Sequence, residues 1–176
     1  MSILKEYIRE KHNLAESTKF MWAIFERRLP IDLWYDFTYQ KSLFYETIED
    51  IAKESGFIDD ILGVQRYQHL RAEYSAYPKK FKYRPEVIEY NNYLHNIPVG
   101  NRNILAHLYT WHMGDMYGGQ MIKKVLNIQD SSLTFENRID LIQKLENKLD
   151  LDLVPETVIA FDWAYKILNS YDESII

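Results

Sequence analysis

Three of the chain's six glycines, Gly114, Gly118 and Gly119, fall within six residues of a segment that otherwise has helical periodicity. Each glycine inside a helix costs about 1 kcal/mol of helix stability relative to alanine. Gly114 and Gly118 are one turn apart on one face, and Gly119 widens this strip of bare backbone. The strip indicates a kink, tight packing against another helix, or close approach of a large flat ligand. Asp115 lies beside it, and a half-buried aspartate suits proton delivery to a bound species.

The composition limits the class of protein. A chain of 176 residues with 47% hydrophobic residues fits a single domain, 1–176, with a sizeable core. The net charge of −5 does not suggest nucleic acid as a partner, and the lack of cysteine excludes disulfides and thiolate chemistry. We find no signal peptide and no apolar run approaching the ~20 residues of a membrane span. We therefore expect a soluble cytoplasmic protein without a membrane partner, and a monomer by default.

Helical periodicity dominates the chain, and no strand pair or internal repeat is apparent. A first helix carries Leu4, Ile8, His12 and Ala15 on one face. The other predicted helices are 33–54, 59–75, 86–95, 102–126, 133–149 and 155–171. Proline and glycine residues separate them, as at Pro30 and Gly56. The pattern predicts an all-α, single-domain bundle of several helices.

Several catalytic scaffolds are excluded by their missing motifs. The chain has no phosphate-binding glycine loop, no His-Glu-x-x-His zinc helix and no G-x-S-x-G nucleophile elbow. No glutamate stands three residues before a histidine, as a di-iron bundle needs. Five histidines are candidate axial metal ligands, although a given histidine is more often a surface or core residue: His12, His69, His95, His107 and His112. Lys5 and His12 share a helix face at ~10 Å axial separation, which suits an ammonium on a peripheral carboxylate and an imidazole on a central metal.

Two segments of the sequence resemble one known family. The segment Tyr109-Thr110-x-x-Met113-Gly114-Asp115-Met116-x-Gly118-Gly119-Gln120 resembles the signature helix of haem oxygenases. Upstream, His12-Asn13-Leu14-Ala15-Glu16, followed by Phe20-Met21, resembles the proximal helix of that family. Their order and separation also fit, so the similarity spans nearly the whole chain. It implies a haem-oxygenase-like bundle in which haem b, as both cofactor and substrate, lies between a proximal and a distal helix.

On the proximal side and at the haem edge, the resemblance assigns binding roles. It implies that His12 is the axial iron ligand. Ala15 and Glu16 follow one turn later, and the alanine keeps the haem face clear. At the haem edge, three residues match positions near the propionates, where cations and hydroxyl donors suit carboxylates: Lys5, Tyr109 and Lys166.

On the distal side, the resemblance assigns catalytic roles. It implies that Gly114 and Gly118, with Gly119 beside them, let the helix backbone approach the iron. Asp115 anchors a water network that protonates oxygen bound there, and Tyr45 belongs to the same network. The expected reaction consumes O2 and external electrons. Its expected products are biliverdin, of the IXα isomer, carbon monoxide and ferrous iron.

The sequence also departs from the family pattern. Trp111 and His112 stand where some relatives carry arginine and tyrosine, and that arginine can join the distal network. Tyr117 stands at an often small position and must point away from haem or reshape the pocket. His107 matches a histidine of relatives that does not bind iron, and we expect it to be structural.

Partners and alternatives remain open from sequence. The basic loop 79–84 could form a positive rim with four other cations, Arg9, Lys11, Lys123 and Lys124, and dock an acidic ferredoxin. A downstream bilin reductase is a further possible partner. One alternative is a haem-binding carrier or sensor on the same fold, against which the retained Asp115 argues. Another is a helical scaffold whose glycines only permit packing, which predicts no haem binding.

Overall fold

The computed structural model describes residues 2–129 and 131–175. Met1, Asp130 and Ile176, which the predicted domain 1–176 includes, lie outside the described residues. All regular secondary structure in the described ranges is helical. The predicted all-α class is therefore confirmed.

Ten α-helices occur in this described part of the chain. They are α1 (Arg9–Glu16), α2 (Lys19–Phe25), α3 (Ile31–Glu54), α4 (Tyr67–Ala76), α5 (Pro85–His95), α6 (Asn103–Leu108), α7 (Gly114–Tyr117), α8 (Gly119–Leu126), α9 (Arg138–Glu146) and α10 (Val154–Asn169). Short 3-10 helices occupy Leu62–Val64, Leu151–Leu153 and Asp172–Ser174. A π-helical turn, Tyr109–Met113, joins α6 to α7.

The long helix α3 organises the core. Its buried face carries Phe37, Phe44 and Ile48, and the helix packs against α4, α5 and α6. It ends where Gly56 adopts a left-handed conformation, with φ of +73°. The N–H of Phe57 then donates to the carbonyl of Ala52, which closes the last turn. Burial of an apolar stripe over 24 residues, more than local propensity, stabilises this helix.

Two predicted helices are shorter than expected. The predicted helix 59–75 begins only at Tyr67, because the Glu49 carboxylate on α3 caps α4 from a distance. It accepts hydrogen bonds from the backbone N–H of Arg66 at 2.6 Å and of Tyr67 at 3.2 Å. The predicted helix 133–149 is helical only over Arg138–Glu146. Asn137 precedes it in a left-handed conformation, which breaks the helical path.

The predicted helix 102–126 is divided into four parts. The π-helical turn inserts one residue per turn beyond the α-helical repeat immediately before Gly114. A further break at Gly118 separates α7 from α8, and α8 ends at Asn127 in a left-handed conformation. The glycine-rich segment therefore follows a helical path with two irregular points.

The packing of the outer helices leaves a space beside the core. Helix α1 packs against α10 and α2, whereas α7 packs against the π-helical turn and α8. Helix α10 also contacts α5, α6 and the π-helical turn, and α2 contacts α8. Within residues 2–129 and 131–175, no helix is both long and apolar enough to cross a membrane.

Candidate functional site

A cavity of about 870 Å³ lies between α1 and the glycine-bearing helices. This volume falls in the range of small-molecule sites, roughly 300–1,000 Å³. Apolar side chains from five elements form much of its lining, including Met21, Phe37, Met113, Ile122, Phe161 and Leu168. Eight of the predicted site residues line the same cavity: Lys5, His12, Ala15, Glu16, Tyr109, Gly114, Asp115 and Gly118.

The α1 wall presents an accessible imidazole. The His12 side chain is 48% exposed, and its Nε2 lies 3.6 Å from Oε1 of Glu16, one turn later. That separation is longer than a hydrogen bond, so the nitrogen is not held by the carboxylate. The ring packs edge-on against Phe161 of α10, with 5.8 Å between centroids. Ala15 is buried beside it, so α1 offers a small side chain and an available nitrogen to the cavity.

Cations lie where α1 approaches the edge of the cavity. Lys5 and Arg9 line the cavity and are exposed. Tyr109, from the π-helical turn, is 8% exposed and lines the cavity with them. Burial raises the pKa of the Tyr109 phenol, so it stays a hydrogen-bond donor at neutral pH. This edge suits an anionic group on a bound molecule.

The three clustered glycines face different surroundings. A Cβ atom added to Gly114 would meet nothing within 4 Å, and at Gly118 it would meet only the Gly114 carbonyl oxygen at 3.5 Å. Both residues are exposed and line the cavity. Gly119 is buried, and its added Cβ would lie 2.9 Å from Cδ2 of Leu133. The glycine cluster therefore combines a bare cavity wall with one tight packing contact.

Asp115 is the best connected polar group of this wall. Its Oδ2 accepts a 2.6 Å hydrogen bond from the hydroxyl of Tyr45. Nζ of Lys41 lies 2.9 and 3.0 Å from the two carboxylate oxygens. Burial, and then the charge of Asp115, raise the pKa of the fully buried Tyr45 well above its ordinary value, so this phenol remains a donor.

A buried hydrogen-bonded chain supports the wall from behind. The indole N–H of Trp111 donates to the hydroxyl of Tyr90 at 3.1 Å, and that hydroxyl lies 2.7 Å from Nδ1 of His107. Nε2 of His107 lies 2.9 Å from Oε1 of Glu156. His107 is fully buried away from the cavity lining, which fits the structural role predicted for it. Trp111 lines the cavity but directs its only donor away from Asp115.

His112 and Tyr117 also have partners outside the cavity. His112 is fully buried, stacks on Tyr45 at 4.3 Å, and places Nε2 2.9 Å from Oε1 of Glu49. Tyr117 is 53% exposed, and its hydroxyl donates to Glu146 at 3.2 Å. Tyr117 also lines the cavity, and its side chain extends from the cavity wall to α9.

Three predicted site residues lie off the cavity lining. Tyr45 stands behind Asp115 and reaches the cavity only through it. Gly119 is directed at Leu133. Lys166 is exposed on α10, where its Nζ pairs with Glu89 at 2.6 Å. The helical repeat places Gly119 one residue round from Gly118, but it could not show that this neighbouring face packs against Leu133.

The predicted positive rim is dispersed in the structure. Arg9 lines the cavity, whereas Lys11 pairs with Asp162 on α10 and Lys79 pairs with Asp32 on α3. The basic loop 79–84 contributes no residue to the cavity lining. Its cations lie near the start of α3.

Lys41 is the site residue that the sequence analysis missed. Its periodicity could have revealed it, because it shares a face of α3 with Phe37, Phe44, Tyr45 and Ile48, all of them buried. A lysine at a core position needs a buried partner. The π-helical turn before Gly114, in contrast, has no sequence signal that we recognise.

The chain was compared with known proteins. The family model described as "Heme oxygenase" matches residues 1–151. A search of curated protein sequences found no significant match. Among solved structures, haem oxygenase-1 of the cyanobacterium Synechocystis, in complex with haem, superposes with a TM-score of 0.82 at 18% identity, covering 97% of this chain and 91% of that one. Haem oxygenase of Leptospira interrogans gives a TM-score of 0.82 at 20% identity, covering 97% and 100%. Haem oxygenase-2 of Synechocystis, in complex with haem and NO, gives 0.82 at 17%, covering 97% and 84%.

Proposed function

Because this chain belongs to the haem oxygenase family, we propose that it cleaves haem oxidatively to biliverdin, carbon monoxide and ferrous iron, with O2 and external electrons. The observation that carries this proposal is that His12 and Asp115 line one cavity from different helices. One supplies an available nitrogen, and the other supplies a hydrogen-bonded carboxylate. A flat ligand between them would be bound on one face and approached by proton-handling groups on the other.

The residues of the cavity fit haem. Gly114 leaves open space where any other residue would project a Cβ, so a planar molecule can approach the backbone. Lys5, Arg9 and Tyr109 offer two cations and a phenol to the carboxylates of haem. The neighbouring apolar side chains suit its hydrocarbon faces.

Each wall has its own task in this proposal. Haem, when bound, supplies the iron that activates oxygen, and its ring is the substrate. The neutral imidazole of His12 would hold the iron, because binding a metal requires a nitrogen lone pair. The backbone at Gly114 and Gly118 would leave room above the iron only for a small molecule. Asp115 would accept hydrogen bonds from water in the cavity and keep those molecules oriented for proton transfer.

Finer parts of the proposal rest on the family resemblance. We propose the IXα isomer of biliverdin, a ferredoxin-type electron donor and a bilin reductase as a possible later partner. We propose a cytoplasmic monomer on the grounds of composition. For the acidic donor, the basic loop 79–84 and Arg9 are the cations to test.

One experiment separates this function from its alternatives. Haemin is added to the protein, and electrons are then supplied under air while the spectrum is recorded. We expect a Soret band that decays as biliverdin absorption rises. A Soret band that persists under turnover conditions would instead indicate a haem carrier or sensor. The absence of any Soret band would indicate a helical scaffold.

A further inference from the structure

Lys41 is a buried cation on the cavity wall. Its side chain is 4% exposed, and its Nζ contacts both oxygens of Asp115. The ammonium also lies 4.8 Å from the ring centroid of Tyr45 and 5.6 Å from that of Phe37. Removing such a group from water is costly, and the Asp115 carboxylate with the two aromatic faces offsets this cost. The pair therefore constrains the position of both charges.

The origin of this cation differs from that suggested by the family pattern. Some relatives carry an arginine at the position of Trp111, within the distal helix. Here the indole of Trp111 donates to Tyr90 and gives Asp115 neither a charge nor a hydrogen bond. The positive partner of Asp115 comes instead from α3, 74 residues earlier in the chain.

We propose that Lys41 is a positioning residue for the reaction, an inference that rests on the proposed function. It holds Asp115 as a fixed carboxylate with both oxygens engaged, and it balances the charge of Asp115 at the distal face. Lys41 and Tyr45 both donate hydrogen bonds to Asp115, which acts as their common acceptor. Water in the cavity would be oriented by this cluster of three side chains.

The charge balance leads to a test that a merely structural role would not pass. The ferric haem complex of the protein is titrated with alkali, and the midpoint pH of its spectral transition is measured. Loss of a proton near the distal face is favoured by a positive charge and opposed by a negative one. Lys41→Met should therefore raise the midpoint and Asp115→Asn should lower it, each by about one pH unit.

Two further variants complete the titration. The double variant Lys41→Met/Asp115→Asn should return close to the wild-type midpoint, because it removes both charges. Lys41→Arg, which retains the cation, should also stay close. As a matched control, Lys144→Met removes a lysine that is ion-paired with Asp140 on α9 and whose side chain is 44% exposed, and it should leave the midpoint unchanged. A Lys41→Met midpoint that stays in place or moves downward would overturn the inference.

Turnover gives a second measure. Lys41→Met should bind haem with a dissociation constant within about threefold of wild type but cleave it at least tenfold more slowly. Lys41→Arg should recover part of the rate. A Lys41→Met variant with wild-type turnover would show that Lys41 does not position Asp115 for the reaction.

The failure of this inference can be told apart from failure of the proposed function. If the protein binds haem without cleaving it, the titration still reports the charge pair. If it binds no haem, the pair is tested by urea unfolding of the protein without ligand. There the double variant should increase the unfolding constant less than the product of the two single-variant factors. Independent, multiplicative effects would show that Lys41 and Asp115 do not act as a pair.

Discussion

The two polar walls of the cavity differ in how far the protein has already satisfied them. On α1, the imidazole of His12 is half exposed, and the Glu16 carboxylate lies 3.6 Å from it, beyond hydrogen-bonding distance. On α7, Asp115 is only 13% exposed and accepts hydrogen bonds from Lys41 and Tyr45. The α1 wall leaves a ring nitrogen of His12 available, and the α7 wall holds its carboxylate in a hydrogen-bonded network.

This difference matches the two demands of a haem-cleaving site. A histidine that binds a metal must offer a lone pair, so hydrogen bonds to both of its ring nitrogens would weaken metal binding. A group that orients protons must be fixed before the reaction, because reorganisation during the reaction would raise the barrier. Substitutions on the α7 wall should therefore affect the chemical step, and those on the α1 wall should affect binding.

The largest effect is expected from Asp115→Asn on the α7 wall. The amide keeps the size of the side chain but loses the charge that organises the donors around it. Haem affinity should stay within a few-fold, whereas the rate of biliverdin formation should fall by about 10²- to 10⁴-fold. The measurement is single-turnover absorption under air, with haem affinity determined separately. Unchanged turnover would contradict the assignment of the proton-handling role to this wall.

The next largest effect is expected from His12→Ala on the α1 wall. The variant removes the only imidazole that lines the cavity among the described residues. Haem affinity should fall by at least about 100-fold, more than loss of an outer-shell partner of a metal ligand typically costs. Haem that still binds should lack the spectrum of a histidine complex, and added imidazole should restore it. His95→Ala, on the exposed end of α5, is the control. A normal spectrum in His12→Ala would mean that another residue binds the iron.

Much of this arrangement could be predicted from the sequence, because helical periodicity and a fairly specific glycine pattern are local signals. The all-α class and the family were predicted correctly. The bounds of α3 and α5 were predicted within two residues. Local patterns nevertheless could not indicate that Glu49 would cap α4 and delay its start. Caps and ion pairs that join distant segments depend on tertiary packing.

The α7 wall shows the same limit within the site. Asp115 was singled out by its place beside the glycines and Tyr45 by the family resemblance, but Lys41, which contacts Asp115 directly, was not predicted. These two partners are 74 residues apart, and a helical repeat indicates only contacts between residues a few positions apart. The cluster of glycines was treated as one strip, whereas Gly119, one residue further round the helix than Gly118, lies against Leu133.

Substitution by alanine should distinguish Gly114, which lines the cavity, from Gly119, which packs against a neighbouring side chain. Gly119→Ala places a Cβ against the buried side chain of Leu133, and because this overpacking exceeds the helix propensity gained, the fold should be destabilised by about 1 kcal/mol. Gly114→Ala meets nothing and should stabilise the ligand-free protein by up to about 1 kcal/mol through helix propensity. Urea unfolding of both variants measures these changes.

Ligand binding should rank the two variants in the opposite order from stability. Gly114→Ala narrows the approach to the distal face, so it should bind haem or oxygen more weakly than Gly119→Ala. If Gly114→Ala binds haem and oxygen like the wild type, the bare backbone at that position does not serve a ligand.

The smallest effect concerns a histidine buried behind the α7 wall, in contrast to the exposed His12. Burial lowers the pKa of His107, and its hydrogen bond to Glu156 only partly opposes this. The unfolded chain, with a histidine pKa near 6.5, then takes up a proton that the folded protein does not. The free energy of unfolding should therefore fall as the pH drops from 7.5 to 6.0, by up to about 0.8 kcal/mol for this group.

Variants assign this pH dependence to its source. Partial desolvation and the nearby charge of Arg66 also lower the pKa of His69 on α4, so His69→Gln should remove only its own part of the slope. His107→Asn should flatten the slope between pH 7.5 and 6.0, although it also lowers stability throughout because Glu156 and Tyr90 each lose one hydrogen-bond partner. The opposite outcome would be a wild-type protein that becomes more stable as the pH drops from 7.5 to 6.0, with this gain lost in His107→Asn. His107 would then be protonated and ion-paired with Glu156 in the folded protein, contrary to the lowered pKa that its burial predicts.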